Sequence, residues 1–205
     1  MLKRLAMATA VVTALAGLAA CGTSDNNTKT DTSSKSATQS AGSHNDADVT
    51  FATSMIPHHQ QALEMVDLTD GRTLDPAVRQ LADQIKAAQA PEIKTMSGWL
   101  SDWGKPVPSA GATGADSHDM GGMDMGSQDM PGMMSADDMA NLKNAPGTEF
   151  QNMWLRMMVR HHEGAVTMAK TELGDGKYEA AKKLAQSVID GQQAEIDQMK
   201  QLLGS

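Results

Sequence analysis

The chain has 205 residues, a net charge of −8 and a single cysteine. An acidic surface is a poor partner for nucleic acid or anionic lipid, and one cysteine cannot form an internal disulfide. Aromatic residues make up 3% of the chain and no alternating β-branched run occurs, so the composition argues against a β-sheet protein and predicts an all-α fold.

Residues 1–20 have the pattern of a secretory signal peptide. Lys3 and Arg4 precede an apolar stretch that ends in Leu18-Ala-Ala-Cys21. The stretch is too short to span a membrane, and a small-residue site directly before a cysteine resembles a bacterial lipobox. We therefore predict that a lipid on Cys21 anchors an exported protein to the outer face of the cell membrane or within the periplasm.

The first helical hairpin is predicted within residues 46–104, behind a flexible tether at 21–45 that is rich in Ser, Thr, Asn and Asp. Its first helix covers about 48–68, where apolar residues recur three and four positions apart. Its second helix begins at Asp75, which precedes a proline, and ends near Trp103.

A second hairpin is predicted within residues 135–205, after a short helix of its own. The short helix opens with a capping box formed by Ser135 and Asp138. The next helix is predicted to open with another capping box at Thr148, and the last fills 178–203.

The two hairpins are copies of one sequence. Met55–Met65 reappears as Met158–Met168, and both copies carry two adjacent histidines at the same place. The same offset matches further residues, which are Gln89 with Gln192, Glu92 with Glu195, and Met96 with Met199. Two duplicated antiparallel hairpins pack most simply as a four-helix bundle with approximate two-fold symmetry.

The matched positions carry side chains that bind metal ions. Imidazole with thioether suits Cu(I), whereas imidazole with carboxylate suits Cu(II), Zn(II) or iron. Methionine at helical spacing is usually core filler, and the glutamates could simply be salt-bridged, but a buried histidine pair is costly unless it is hydrogen-bonded or ligated. The candidate ligands in the helices are Met55, His58, His59, Met65, Glu92, Met96, Met158, His161, His162, Met168, Glu195 and Met199.

Residues 105–134 are predicted to be a flexible loop with soft ligands. Its glycines prevent a packed core, yet flexible loops normally avoid apolar side chains such as methionine. Methionines two or three positions apart beside a histidine allow a mobile chain to wrap Cu(I), or Ag(I) as its mimic. The alternative is a low-complexity spacer. The candidate ligands here are His118, Met120, Met123, Met125, Met130, Met133 and Met134.

Three segments resemble the family known as domain of unknown function 305, namely 55–65, 92–100 and 157–169. The resemblance implies an exported bacterial protein with a ferritin-like helical bundle, in a family some of whose members bind copper outside the cytoplasm and contribute to copper tolerance. Arg160 stands where the first copy has Pro57 and so departs from the family's usual Met-Ile-Pro-His-His motif.

We therefore expect an extracytoplasmic copper-binding lipoprotein that sequesters Cu(I) or hands it on, with no catalysis. One alternative is a ferritin-like metal-dependent oxidase, although the Glu-x-x-His motif of di-iron sites is missing. Another is a structural or protein-binding helical lipoprotein. A copper-handling partner protein and a homo-oligomer are both compatible with the sequence.

Overall fold

The computed structural model describes residues 42–109 and 130–204, which contain helices and turns but no strand. The helices are α1 (Asp46–Asp67), α2 (Pro76–Asp102), α3 (Ala136–Asn144), α4 (Gly147–Asp175) and α5 (Glu179–Leu202). The all-α prediction is confirmed, and the helices follow the predicted order and approximate bounds. Five residues singled out from the sequence lie outside the described ranges, which are Cys21, His118, Met120, Met123 and Met125.

Local sequence signals set most of the helix starts. Asp75 caps α2 by accepting a hydrogen bond from Ala77 N, 2.8 Å away, directly before the proline at the first helical position. The predicted capping box at the start of α3 is confirmed, since Ser135 and Asp138 each accept a hydrogen bond from the other's backbone N–H.

The predicted capping box at Thr148 is wrong. Helix α4 begins at Gly147 with Pro146 at the N-cap position, two residues earlier than a cap at Thr148 would give, and no side chain caps it. The carbonyl of Pro146 accepts the first helical hydrogen bond, from Phe150 N at 3.1 Å. Thr148 therefore lies inside the first turn, where its hydroxyl cannot act as an N-cap.

Each repeat forms one hairpin, α1 with α2 and α4 with α5, and the hairpins meet mainly through α1 and α4. These two helices are antiparallel. Trp154 Nε1 near the start of α4 donates to the Met65 carbonyl near the end of α1, at 2.8 Å. At the other end, Asp48 of α1 accepts hydrogen bonds from the backbone of Lys177 and Tyr178, just past α4. The ferritin-like assignment stays a prediction from the resemblance.

The buried apolar side chains form two clusters, one towards each end of the α1–α4 contact. The Trp154 cluster includes Met65 and Met158, and the Phe51 cluster includes Met55 and Met96. On α1 the two adjacent histidines lie between Met55 and Met65, and the equivalent histidines of α4 lie between residues of both clusters. The fold therefore places the duplicated histidines between two apolar clusters. No helix in the described ranges combines the length and apolar character needed to cross a membrane.

Candidate metal centre

Four fully buried histidines form what we call the histidine layer, which consists of His58, His59, His161 and His162. His58 and His161 occupy equivalent positions in the two repeats and face each other. Their ring centroids are 3.8 Å apart and their planes are inclined by 40°. Contact between these two equivalent residues places them close to the approximate two-fold axis that relates the repeats.

The facing pair is neutral at physiological pH. Burial, helped by the neighbouring His59 and His162, lowers the pKa of His58 to about 3. Burial also holds the pKa of His161 well below its ordinary value, and the nearby imidazoles lower it further. Neutral imidazole is the form that binds metal ions, because it keeps a nitrogen lone pair.

The hydrogen bonds of the facing pair leave such lone pairs unused. His58 Nε2 lies 3.0 Å from the Pro131 carbonyl oxygen and donates to it, while His58 Nδ1 has no partner. Neither ring nitrogen of His161 has a hydrogen-bond partner, although the His58 backbone is close enough to favour protonation of His161 slightly. Each buried polar atom left unpaired costs on the order of 1–3 kcal/mol, so this arrangement does not serve stability alone.

The other two histidines each bond a glutamate of the partner helix in their own hairpin. His59 Nε2 lies 2.7 Å from Glu92 Oε2, and His162 Nε2 lies 2.8 Å from Glu195 Oε2. A carboxylate can only accept, so Nε2 carries the proton in both histidines. Their Nδ1 atoms have no partner. Carboxylates that accept a hydrogen bond from histidine in this way commonly orient the histidine as a metal ligand. Glu92 and Glu195 are therefore placed to orient His59 and His162.

The candidate methionines divide into two sets related by the repeat. Met65, Met158 and Met199 are buried in the Trp154 cluster. Met55 and Met96 are buried in the Phe51 cluster, and the partly buried Met168 packs against it. Each set contains methionines from both repeats. Within the described ranges no three His, Cys, Asp or Glu side chains are placed to hold one metal ion. The methionine sulfurs of the two clusters are therefore candidate additional ligands for an ion at the histidine layer.

The end of the predicted flexible loop packs against the histidine layer as a segment, 130–134, that we call the cap. Besides the hydrogen bond from His58 to the Pro131 carbonyl, the Gln61 side chain donates to the Met134 carbonyl at 2.9 Å and accepts from the Met134 N–H at 2.7 Å. Arg160 Nη2 lies 2.9 Å from Met134 Sδ and 2.8 Å from Asp138 Oδ2. Arg160, the departure from the family motif, thus helps to hold the cap. Met134 is buried, while Met130 and Met133 are partly buried.

Gly164 of α4 makes the close seating of the cap feasible, because a Cβ at this position would overlap the Pro131 carbonyl and approach Gly132 Cα. We expect Gly164→Ala to displace the cap, to lower the free energy of unfolding by roughly 1–3 kcal/mol, and to raise hydrogen–deuterium exchange in 130–134. Gly191→Ala on α5 is the matched control, since a Cβ there meets nothing within 4 Å. Unchanged protection of the cap in Gly164→Ala would contradict the packing described.

The fold and this centre define an all-α protein built from a duplicated hairpin, with paired buried histidines between methionine-containing clusters. The chain belongs to the family described as domain of unknown function (DUF305), whose model matches residues 48–203. The family predicted from the sequence is confirmed. No curated protein sequence gives a significant match.

Solved structures of related proteins resemble this chain over most of their length. A DUF305 protein from Streptomyces coelicolor, described as secreted, is 34% identical, with a TM-score of 0.66 and coverage of 77% of this chain and 91% of that one. A DUF305 fragment from Deinococcus radiodurans is 30% identical, with a TM-score of 0.66 and coverage of 78% and 97%. CopM in its Cu(II)-bound form is 33% identical, with a TM-score of 0.61 and coverage of 77% and 95%. CopM is also known in Cu(I)-bound and silver-bound forms.

Proposed function

We propose that this protein binds copper outside the cytoplasm and sequesters it or hands it on. The observation that carries the proposal is the histidine layer, in which all four buried imidazoles keep an unpartnered Nδ1. Copper binding would use lone pairs whose burial is otherwise unfavourable. The similarity to CopM, which has copper-bound and silver-bound forms, supports the same proposal.

Cu(I) is the proposed oxidation state. The candidate donors are the imidazole nitrogens of the layer and the thioether sulfurs of the two clusters, which are borderline and soft ligands. Thioethers need no deprotonation, so they can bind a monovalent ion inside an apolar cluster without leaving a buried charge on the ligand. Ag(I) fits the same donors, whereas Cu(II) and Zn(II) would favour more nitrogen and oxygen ligands.

A binding role is proposed in preference to catalysis. The two carboxylates nearest the layer, Glu92 and Glu195, each bond a separate histidine in a separate hairpin. Di-iron oxidases instead use paired Glu-x-x-His motifs, and no glutamate stands three positions before any of the four histidines here. The arrangement supports a protein that holds its ion rather than one that activates oxygen.

Export and anchoring complete the proposal. The lipid on Cys21 would hold the helical part near the outer face of the membrane, and Met120, Met123 and Met125 would offer Cu(I) a second set of ligands. A copper-handling protein is the partner expected for such a donor, and a homo-oligomer is equally compatible with the role.

An anaerobic Cu(I) titration against a chromophoric chelator tests the proposal. We expect the mature chain to compete for Cu(I), and deletion of residues 110–129 to lower the number of ions bound while helicity stays unchanged. The deletion must spare the cap, because Pro131 hydrogen-bonds to His58. Replacing Met120, Met123 and Met125 by leucine is the matched control, since it removes sulfur but keeps the loop length.

Failure of the full mature chain to compete for Cu(I) would refute copper binding. Equal capacity in the deletion and in the full chain would instead reduce residues 110–129 to a spacer.

A further inference from the structure

A second polar site lies between α2 and α5, and no methionine is among the described residues that line it. A cavity of about 110 Å³ is lined there by residues that include Gln89, Glu92, Gln192 and Glu195. These are two pairs of equivalent residues from the two repeats. The cavity therefore lies near the approximate two-fold axis, and each repeat contributes one amide and one carboxylate to it.

The two glutamines are buried, and each has an amide oxygen without a hydrogen-bond partner. Gln89 is 2% exposed and neither its Oε1 nor its Nε2 is paired, and Gln192 is 4% exposed with an unpaired Oε1. By contrast Gln193, next to Gln192 on α5, is exposed and bonds Asp197. Buried unpaired amides are unfavourable by an amount on the order of 1–3 kcal/mol each, and both repeats carry one here. Amide oxygens on a cavity wall are suited to bind a ligand within it.

The charges of the residues that line the cavity indicate the charge of the ligand that it would bind. Both glutamates are 17% exposed, and each bonds its histidine through Oε2, which leaves Oε1 outside that bond. None of the described residues that line the cavity is a lysine or arginine. Two carboxylates without a lysine or arginine in the cavity lining favour a cation.

We propose that this cavity binds a partly hydrated hard divalent cation of the Mg²⁺, Mn²⁺ or Ca²⁺ class. Its candidate ligands are oxygens alone, two carboxylates and two amides, and oxygen ligands select these ions over Cu(I). At roughly 30 Å³ per water, the cavity of about 110 Å³ has room for about three to four water-sized groups, which fits an ion that keeps part of its hydration shell.

Mn²⁺ is the probe, because its solution electron paramagnetic resonance signal is lost when the ion binds. The full mature chain is expected to bind Mn²⁺, and the Gln89→Leu, Gln192→Leu double variant to bind it at least tenfold more weakly. Gln193→Leu is the matched control on the same helix and should bind as the parent does. The double variant should keep its Cu(I) binding, which separates this proposal from the copper proposal.

Removal of two unpaired buried amides should leave the fold at least as stable, which circular dichroism would check. If the leucine variant does not fold, the isosteric Gln89→Met, Gln192→Met variant takes its place in the Mn²⁺ measurement. The proposal is overturned if the parent chain leaves all Mn²⁺ free at millimolar concentration. It is equally overturned if a folded glutamine variant binds Mn²⁺ as tightly as the parent.

Discussion

Replacing the whole histidine layer by leucine is expected to abolish the rise in unfolding temperature that Cu(I) produces in the parent chain. A ligand that binds only the folded state stabilises it by about 2.7 kcal/mol at a hundred times its dissociation constant, which corresponds to several degrees. Without ligand, the variant should be about as stable as the parent, because five unpaired nitrogens leave the interior while Glu92, Glu195 and the Pro131 carbonyl lose their histidine partners. Anaerobic thermal unfolding followed by circular dichroism measures both effects.

His44→Leu is the matched control, since His44 stacks on Trp103 and lies outside the layer. It should keep the full stabilisation by Cu(I). A histidine-layer variant that also kept it would show that the layer does not bind the ion and would leave the methionine-rich loop as the copper site.

Acidification to pH 4.5 is expected to destabilise the metal-free protein by about 3 kcal/mol through His58 alone. The pKa of His58 is about 3 in the folded protein and near its ordinary 6.5 in the unfolded chain. Between these values the unfolded state binds a proton that the folded state excludes. Stability therefore falls as the pH drops through this window, and the lowered pKa of His161 acts in the same direction.

Urea unfolding at pH 7 and pH 4.5 checks this expectation. The His58→Leu, His161→Leu double variant should lose much less stability between the two pH values than the parent does. A parent and a double variant with the same pH dependence would show that these imidazoles are not held neutral in the fold.

The helices and the duplication could be predicted from the sequence because both depend on local signals. Apolar spacing and caps such as Asp75 and Ser135 act over a few residues. The matched motifs also predicted that histidines and methionines would lie in register across the repeats. The start of α4 was predicted wrongly because the Pro146 carbonyl accepts the first helical hydrogen bond, from Phe150 N, which starts the helix two residues before the capping signal at Thr148 predicted.

The arrangement within the centre could not be predicted, because it depends on how the hairpins meet. Adjacent histidines on one helix point in different directions, so His58 meets its equivalent in the other repeat while His59 meets a glutamate in its own hairpin. The cap was missed for a related reason. Residues 130–134 have a loop-like composition, and their packing depends on the backbone space at Gly164 and on Arg160.

X-ray absorption of Cu(I) bound to the chain without residues 110–129 tests the central claim most directly. With those loop ligands removed, the account predicts that the copper remains bound and that both nitrogen and sulfur neighbours surround it. The nitrogen neighbours should disappear when the histidine layer is replaced by leucine. Loss of all bound copper on deletion of 110–129, or a copper environment of sulfur alone, would contradict the account.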